Sequence, residues 1–487
     1  MKKTKETSRS FGFALVALVA AGLYPLIHYY NGNLEMADSG IQLLFLVSVC
    51  LALPLLMGGV GWLITRKAPL RRWSKYMVPM VNLGVFSWLI SMLVFLSNRK
   101  IMLLVFILGA VLGLLLYRQI KRIVGIQLLL ALMAVVSFIP RANFAWKHNN
   151  NWMKSTASTD DIQFKKFPNV YIIQPDGYSS FETLKQPPYE RSEESFKTWL
   201  ESKSFVNYHN FRSNYYSTLT SNSSLFAMEH HYYGNTYKRN LKTFDSQRII
   251  AGDNPVISAF KDNGYTTHLL TDNSYFLINR KMTHYDYCNI PEAMLSFYRP
   301  GRVRGVDMVS DFKNLMEQQS EGPHFYFIEK TIPGHIAHGR SQSLGVEAER
   351  ERYLDRLTLS EEWMKTLLET IYKQDDDPLI VLVADHGGYV GLRYVREVLE
   401  KELTPIELNS VFSSLLSIRW PQNEAPAQWN PESSVNLFRY VLSYLSEDET
   451  LKQNKVSNAS FLPYDDGNGV EYYECLDTEG NKVFRKL

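Results

Sequence analysis

Five apolar runs crowd the first 140 residues of this chain, and they constrain its fold more than any other feature. Phe11–His28, Ile41–Thr65, Met77–Ser97, Ile101–Tyr117 and Val124–Ile139 each come near the ~20 residues that a helix needs to cross a bilayer. They predict a membrane anchor of about five transmembrane helices over residues 1–140, the last two runs being short. MKKTK precedes the first run, which also fits a cleaved leader. Ala20-Ala21-Gly22 is a poor cleavage site, however, and more apolar segments follow, so the run reads as a span.

Loop charge orients this anchor. Lys2, Lys3, Lys5 and Arg9 precede the first run, Arg66, Lys67, Arg71, Arg72 and Lys75 join the second to the third, and Arg118, Lys121 and Arg122 join the fourth to the fifth. The positive-inside rule places these on the cytoplasmic side. The first connection carries Glu35 and Asp38 and no base, and faces out. Arg99 and Lys100 dissent mildly. An odd number of spans then puts everything after Pro140 outside the cytoplasm.

At 487 residues the chain has room for two or three domains. Its 52 basic and 49 acidic residues nearly balance, which speaks against nucleic acid as a partner. Residues 141–167 are polar and read as a linker or surface arm. Beyond Pro168, strands alternate with helices. Strands are expected at Asn169–Gln174, Tyr265–Thr271, His324–Glu329 and Leu379–Ala384, and helices at Glu190–Lys203, Asn254–Asn263, Glu347–Lys373 and Pro431–Leu445. Asn409–Ile418 fits a strand or a helix. This alternation predicts an α/β domain with a mainly parallel central sheet over 168–450. Turns at Asp466–Gly469 and Thr478–Asn481 predict a β-rich extension over 451–487. Cys288 and Cys475 could pair in an oxidising compartment or remain free thiols, and Cys50 lies in a span.

Two strand ends carry the chemistry. Leu379–Gly388, LIVLVADHGG, ends an apolar strand on Asp385 and His386, and Asn169–Gly177, NVYIIQPDG, ends one on Asp176. Ligands gather at the carboxyl ends of strands in open α/β sheets. Between them lies Ser213–Phe226, SNYYSTLTSNSSLF, whose hydroxyls can cap a helix. A threonine hydroxyl is a poor nucleophile until a helix N-terminus or a divalent cation favours its alkoxide. Asp176, a threonine, Asp385 and His386 make four oxygen and nitrogen donors suited to manganese or zinc.

In this order, strand-Asp-Gly, SNY-x-x-T before a Ser-rich SSL, P-x-H and strand-x-D-H-G, the chain resembles the alkaline phosphatase/sulfatase superfamily. Its layout is similar to the membrane-anchored sulfatase-like branch of lipoteichoic acid synthases and lipid A phosphoethanolamine transferases. The resemblance implies an N-terminal transmembrane helical bundle joined to an alkaline-phosphatase-like domain. It implies Asp176, Thr218, Asp385 and His386 as ligands of a divalent metal ion (Mn, Zn, Mg or Ca). It further implies Thr218 as nucleophile, and His335 of Ile332–His335 as a residue that contacts the substrate or leaving group and stabilises developing negative charge. The implied reaction transfers a phospho-headgroup of phosphoethanolamine or phosphoglycerol type to an envelope glycan or lipid through a threonyl intermediate. A phosphodiesterase, phosphatase or sulfuric ester hydrolase, or an inactive homologue, are the alternatives. The implied partners are the bilayer and a lipid or glycan substrate, and the implied location is a bacterial-type inner membrane with the catalytic domain on its outer, periplasmic side.

Three departures stand out. Gln174-Pro175 replaces an apolar pair before Asp176, so the strand end is expected to bend. Thr220 and Ser221 rival Thr218. No C-x-P-x-R or S-x-P-x-R occurs, which disfavours formylglycine sulfatase chemistry. His338 reads as a surface histidine or a site residue, Lys330 as a solvated lysine before one that neutralises an anionic substrate, His230-His231 as structural before functional, and Asp375-Asp376-Asp377 as a loop.

Overall fold

The computed structural model describes residues 2–34, 40–95, 98–147, 150–154, 159, 162–232, 245–277, 283–291, 294–295, 303, 305–318 and 321–487. The chain divides after Lys147 into two compact units.

The first unit is helical. Lys2–Asn33, Gly40–Thr65 (with a π-turn at Ser48–Ala52), Ser74–Phe95, Arg99–Leu115 and Ile120–Lys147 follow one another, and each predicted apolar run falls on one of them. Among the described residues, four segments are long and apolar enough to cross a membrane: Phe11–Asn33, Gly40–Thr65, Pro69–Leu93 and Tyr117–Lys147. Leu44, Leu56, Leu104, Leu108, Leu129 and Val136 among others stand exposed, as lipid-facing side chains do. Arg99–Leu115 has 17 residues, about 25 Å of helix. It pairs antiparallel with Ser74–Phe95 through small residues. A Cβ on Gly109 would lie 2.6 Å from Leu83 O, and one on Gly113 would lie 2.3 Å from Pro79 O. This Gly-x-x-x-Gly spacing is the usual means of close helix approach in lipid, where packing replaces the hydrophobic drive.

Ala20-Ala21-Gly22 lies inside the first helix and packs. Ala20 and Ala21 are fully buried, and Gly22 sits against the Cys50 carbonyl, where a Cβ would have 1.6 Å. Asn82 and Gln127 are buried and exchange amide hydrogen bonds of 2.8 and 3.1 Å, and Asn82 also donates to Ala17 O at 2.6 Å. The pair ties three helices together where an unsatisfied amide would be costly.

The second unit is a three-layer α/β/α domain. Its strands are β1 (Val170–Pro175), β2 (Phe205–Asn207), β3 (Thr266–Thr271), β4 (Tyr287–Cys288), β5 (His324–Lys330), β6 (Leu379–Val383) and β7 (Leu416–Arg419), in the order β2-β7-β6-β1-β5-β3-β4. Only β7 runs against the others. β1 lies at the centre and is buried along its whole length. Its alternate side chains feed two cores, Tyr171 and Ile173 on one face and Val170 and Ile172 on the other. Helix Val346–Ile371 covers the first face with Leu357, Met364, Leu367 and Leu368. Helices Thr218–Ala227, Pro255–Asp262 and Ser434–Ser446 cover the second.

The long apolar elements stand where the periodicity predicts them. Asn409–Ile418 proves to hold both candidates, the end of helix Pro405–Phe412 and the start of β7. β2 and β4 are three and two residues long and carry no alternation to read. The predicted boundary at Pro140 moves. The last helix of the first unit runs through Pro140 to Lys147, since a membrane helix tolerates an internal proline. Residues read as a linker are packed: Trp152 is buried against the His231 ring, and Phe164 against Phe260 and Tyr265. The C-terminal meander, β8 (Ser460–Asp465), β9 (Val470–Leu476) and β10 (Lys482–Lys486), is no appendage either, because Leu462, Tyr473 and Cys475 join the main core. All three cysteines are free, and Cys288 and Cys475 serve cores on opposite faces of the sheet.

If all five helices span, the end of the chain lies outside the cytoplasm. A reporter that works only outside, fused after Leu487, should be active, and a cytoplasm-only reporter silent. The reverse pattern would require an even number of spans.

Candidate metal centre

The register of two neighbouring strands builds the site. Ile173 of β1 pairs with Leu382 of β6 in parallel, so the residues three positions on, Asp176 and Asp385, leave the sheet side by side. Both are buried, 6 % and 2 % exposed, and His386 at 1 % joins them. A ligand atom from each lies within 4.8 Å of the other two. His386 Nε2 stands 3.3 Å from Asp385 Oδ2 and 3.5 Å from Asp176 Oδ1.

These groups are arranged as ligands. Asp385 Oδ1 accepts the N–H groups of Gly177 and His386, both at 3.0 Å, which fixes the carboxylate. Asp385 Oδ2 and Asp176 Oδ1 are buried with no hydrogen-bond partner. His386 Nδ1–H donates to Gly387 O at 2.8 Å, so Nε2 is the ring nitrogen that faces the two acids. Burial and then the neighbouring Asp385 raise the Asp176 pKa to about 7. Burial lowers that of His386, but Asp385 and Asp176 outweigh it and the net shift is upward. Each orphaned buried oxygen costs about 1–3 kcal/mol, a large share of a domain's ~5–15 kcal/mol. A divalent cation would satisfy both oxygens and remove the like-charge repulsion, so the residues present fit one.

Thr218 closes the group. It opens helix Thr218–Ala227, with Ser217 as the N-cap, and its Oγ1 lies 3.5 Å from His386 Nε2. The neighbouring hydroxyls are engaged elsewhere. Thr220 Oγ1 accepts from Ser217 N at 3.3 Å and donates to Ser217 O at 2.9 Å. Ser221, Ser223 and Ser224 donate to the carbonyls of Tyr215, Thr220 and Ser221. Within Ser217–Ser224, Thr218 is the hydroxyl that meets His386, and it stands at a helix N-terminus, whose partial positive charge favours an alkoxide.

His335 follows β5 on a loop held against the first acid. Gly334 N–H donates to Asp176 O at 2.7 Å, and Gly177, at φ +71°, leaves 2.5 Å between a notional Cβ and Gly334 O. A side chain at Gly177 would force this loop away. The His335 and His386 ring centres are 6.3 Å apart. Burial lowers the His335 pKa to about 4, so the ring is neutral, and its Nδ1–H donates to Ile336 O at 2.6 Å. It therefore presents the Nε2 lone pair, which accepts a proton.

Several supports were not legible in the sequence. Gln174 exchanges amide hydrogen bonds of 2.9 and 2.8 Å with Asn222, binding the Thr218 helix to the strand that carries Asp176. Pro175 does not bend the strand, since it pairs with Lys330 of β5 after the ladder to β6 has ended at Ile173. Tyr353 OH donates to Gly177 O at 2.9 Å, and its ring seats Gly388, where a Cβ would have 2.3 Å. Gly388 N–H donates to Ser179 Oγ and Tyr189 OH. Glu329 on β5 is fully buried, with one oxygen accepting from Thr271 at 2.7 Å. Burial, Asp176 and Asp272 push its pKa well up.

The remaining candidates lie apart from the acids. Lys330 Nζ sits 5.3 Å over the Trp363 ring. His230 and His231 back the Thr218 helix, His231 donating to Thr220 O at 2.8 Å, and burial lowers both pKa values to about 4. Asp375 accepts from Tyr171 OH and Asn169, at the far edge of the sheet.

No protein-family model and no characterised sequence matches the chain. Solved structures similar to it include the periplasmic domain of EptC from Escherichia coli in complex with Zn, at 11 % identity and a TM-score of 0.44, over 66 % of this chain and 95 % of that one. The integral membrane lipooligosaccharide phosphoethanolamine transferase A of Neisseria meningitidis is similar over 89 % of this chain and 95 % of its own, at 10 % identity and a TM-score of 0.39. The putative sulfatase yidJ from Bacteroides fragilis is similar over 67 % and 86 %, at 13 % identity and a TM-score of 0.39. All three TM-scores lie below 0.5, so the geometry of the centre carries the reading of function.

Proposed function

We propose that this chain is a membrane-bound, metal-dependent transferase that moves a phospho-headgroup, of phosphoethanolamine or phosphoglycerol type, from a lipid to an envelope glycan or lipid through a threonyl ester. The observation that carries this reading is the convergence of two buried carboxylate oxygens without hydrogen-bond donors, the His386 Nε2 and one hydroxyl at a helix N-terminus. A decayed homologue would have no reason to keep two such oxygens buried and unsatisfied. The resemblance in motif order supports the phosphoryl substrate, and the apolar helices support a donor that resides in the membrane.

Asp176, Asp385 and His386 would hold the cation with Thr218. When bound, a divalent cation supplies charge that lowers the pKa of a hydroxyl and draws electron density from phosphoryl oxygens. Thr218 Oγ1 loses its proton to solvent and attacks phosphorus. The Thr218–phosphorus bond forms, the bond from phosphorus to the lipid alcohol breaks, and the alcohol leaves with a proton from water. In the second displacement His335 Nε2 takes the proton of the acceptor hydroxyl as that oxygen attacks. The Thr218–phosphorus bond then breaks and the threonine is reprotonated. Glu329 accepts a hydrogen bond from Thr271, and burial beside the acids shifts it toward its uncharged form.

Incubation of the detergent-solubilised chain with a short-chain phospholipid should leave a phosphoryl adduct on the Thr218 peptide, seen by mass spectrometry and absent in Thr218→Ala. An adduct on Thr220, or undiminished turnover of a phosphodiester by Thr218→Ala, would refute the assignment. Metal retention should depend on pH. Protons compete for Asp176, so below its raised pKa of about 7 the apparent affinity should fall about tenfold per pH unit for each proton displaced. Equilibrium dialysis at pH 8 and pH 5.5 reads this, and equal retention at both would contradict it.

A further inference from the structure

The loop after β5 carries His335, and helix Val346–Ile371 grips it along one stripe. Glu349, Arg356 and Ser360 share a face of that helix by their spacing. Arg356 Nη2 donates to His335 O at 2.9 Å, and Ser360 Oγ donates to Ile332 O at 3.2 Å. Glu349 is buried, and its two carboxylate oxygens accept from Ala337 N–H at 2.8 Å and Leu344 N–H at 3.1 Å. One side chain thus clasps both ends of the segment between them. Backbone bonds complete the hold. Ile336 N–H donates to Gly388 O at 3.3 Å, Val395 N–H to Ala337 O at 2.9 Å and Arg396 N–H to His338 O at 3.2 Å. In the His335 ring, Nδ1–H is committed to Ile336 O, so Nε2 is the nitrogen left for chemistry.

Connecting loops are ordinarily the loosest part of a domain, yet this one is tied at Ile332, His335, Ile336, Ala337, His338 and Leu344. The arginine is telling. Arg350 and Arg352 on the same helix face acids, Glu190 at 3.2 Å and Glu349 at 3.8 Å. Arg356 instead turns its guanidinium to the carbonyl of the histidine itself, and a bond from a charged donor is about twice as strong as a neutral one. A general base must lie within hydrogen-bond reach of its proton, and a misplacement of about 1 Å can cost on the order of 10²-fold in rate. In the mechanism above His335 acts in the second displacement alone. We propose that Arg356 and Glu349 are positioning residues for that step, holding the loop so that His335 Nε2 meets the acceptor hydroxyl, and that without them the reaction stalls at the threonyl ester. In the step they serve, the acceptor O–H bond breaks toward Nε2 and the acceptor oxygen bonds to phosphorus. The Thr218–phosphorus bond breaks, and the proton passes from the imidazolium through solvent to the Thr218 oxygen. This rests on the transferase reading above and deepens it.

The test uses the full chain in neutral detergent, loaded with manganese, with a short-chain phospholipid as donor and glycerol as acceptor. Rapid quench and mass spectrometry follow the phosphoryl adduct on the Thr218 peptide, and transfer to glycerol is timed separately. Arg356→Met keeps the side-chain stem and removes its donors, and Glu349→Gln keeps the shape and removes one of two acceptors. Both should form the adduct within about twofold of the wild-type rate and pass it to glycerol on the order of 10–100-fold more slowly, so that the adduct accumulates. His335→Ala should show the same split, Arg356→Lys should regain most of the lost rate, and metal content should match wild type in each. If Arg356→Met does not fold, Glu349→Gln reads the same split. Wild-type transfer to glycerol in these two variants would overturn the inference. So would an equal fall in adduct formation and transfer, which is what a general loosening of the fold gives. A wild-type chain that forms no Thr218 adduct would instead refute the proposed function, so the two failures are distinct.

Discussion

The parallel register of β1 against β6 places two carboxylates next to each other at the buried edge of a sheet, and the surrounding structure answers to that placement. Like charges in a water-poor site repel, and each oxygen without a partner loses its solvation. The protein offsets this only in part. Two backbone N–H groups hold one oxygen of Asp385, and His386 faces the other. Glycines at 177, 387 and 388 let the loops close to distances that no Cβ would survive. What stays unsatisfied has the stereochemistry of a cation's ligands.

The same logic explains the shell around it. Gln174 and Asn222 tie the helix of Thr218 to the strand of Asp176. Tyr353, Ser179 and Tyr189 tie the two ligand loops to each other through hydroxyls and a ring face. The meander at the C-terminus reaches the Ser213–Tyr216 segment, with Phe461 N–H donating to Asn214 O and Ser460 donating to Ser213 O. Residues far apart in sequence thus set the position of one hydroxyl, which is how a fold holds a reactive group within tenths of an ångström.

What the sequence made legible was what local patterns encode. Apolar runs of membrane length, a strand that ends on Asp-His-Gly-Gly and a second that ends on Asp-Gly need no partner to be read. Thr218 could be named but not separated from Thr220, because the capping hydrogen bonds that occupy Thr220 depend on where the helix begins. Glu329 and Tyr353 carried no signal. Their roles come from neighbours tens to hundreds of residues away, and a lone glutamate at a strand end or a tyrosine on an amphipathic helix looks like any other. The boundary at Pro140 misled for a related reason, since proline breaks helices in water more reliably than in lipid.

The central claim is that Asp176, Thr218, Asp385 and His386 ligate one divalent cation. Anomalous scattering from crystals of the full chain grown with manganese, and again with zinc, tests it most directly. The account predicts a single strong peak bonded to Asp176, Asp385 and His386 and next to the Thr218 hydroxyl, lost in Asp385→Asn. A metal-replete crystal with no peak there, or with Asp176 turned away from it, would contradict the account.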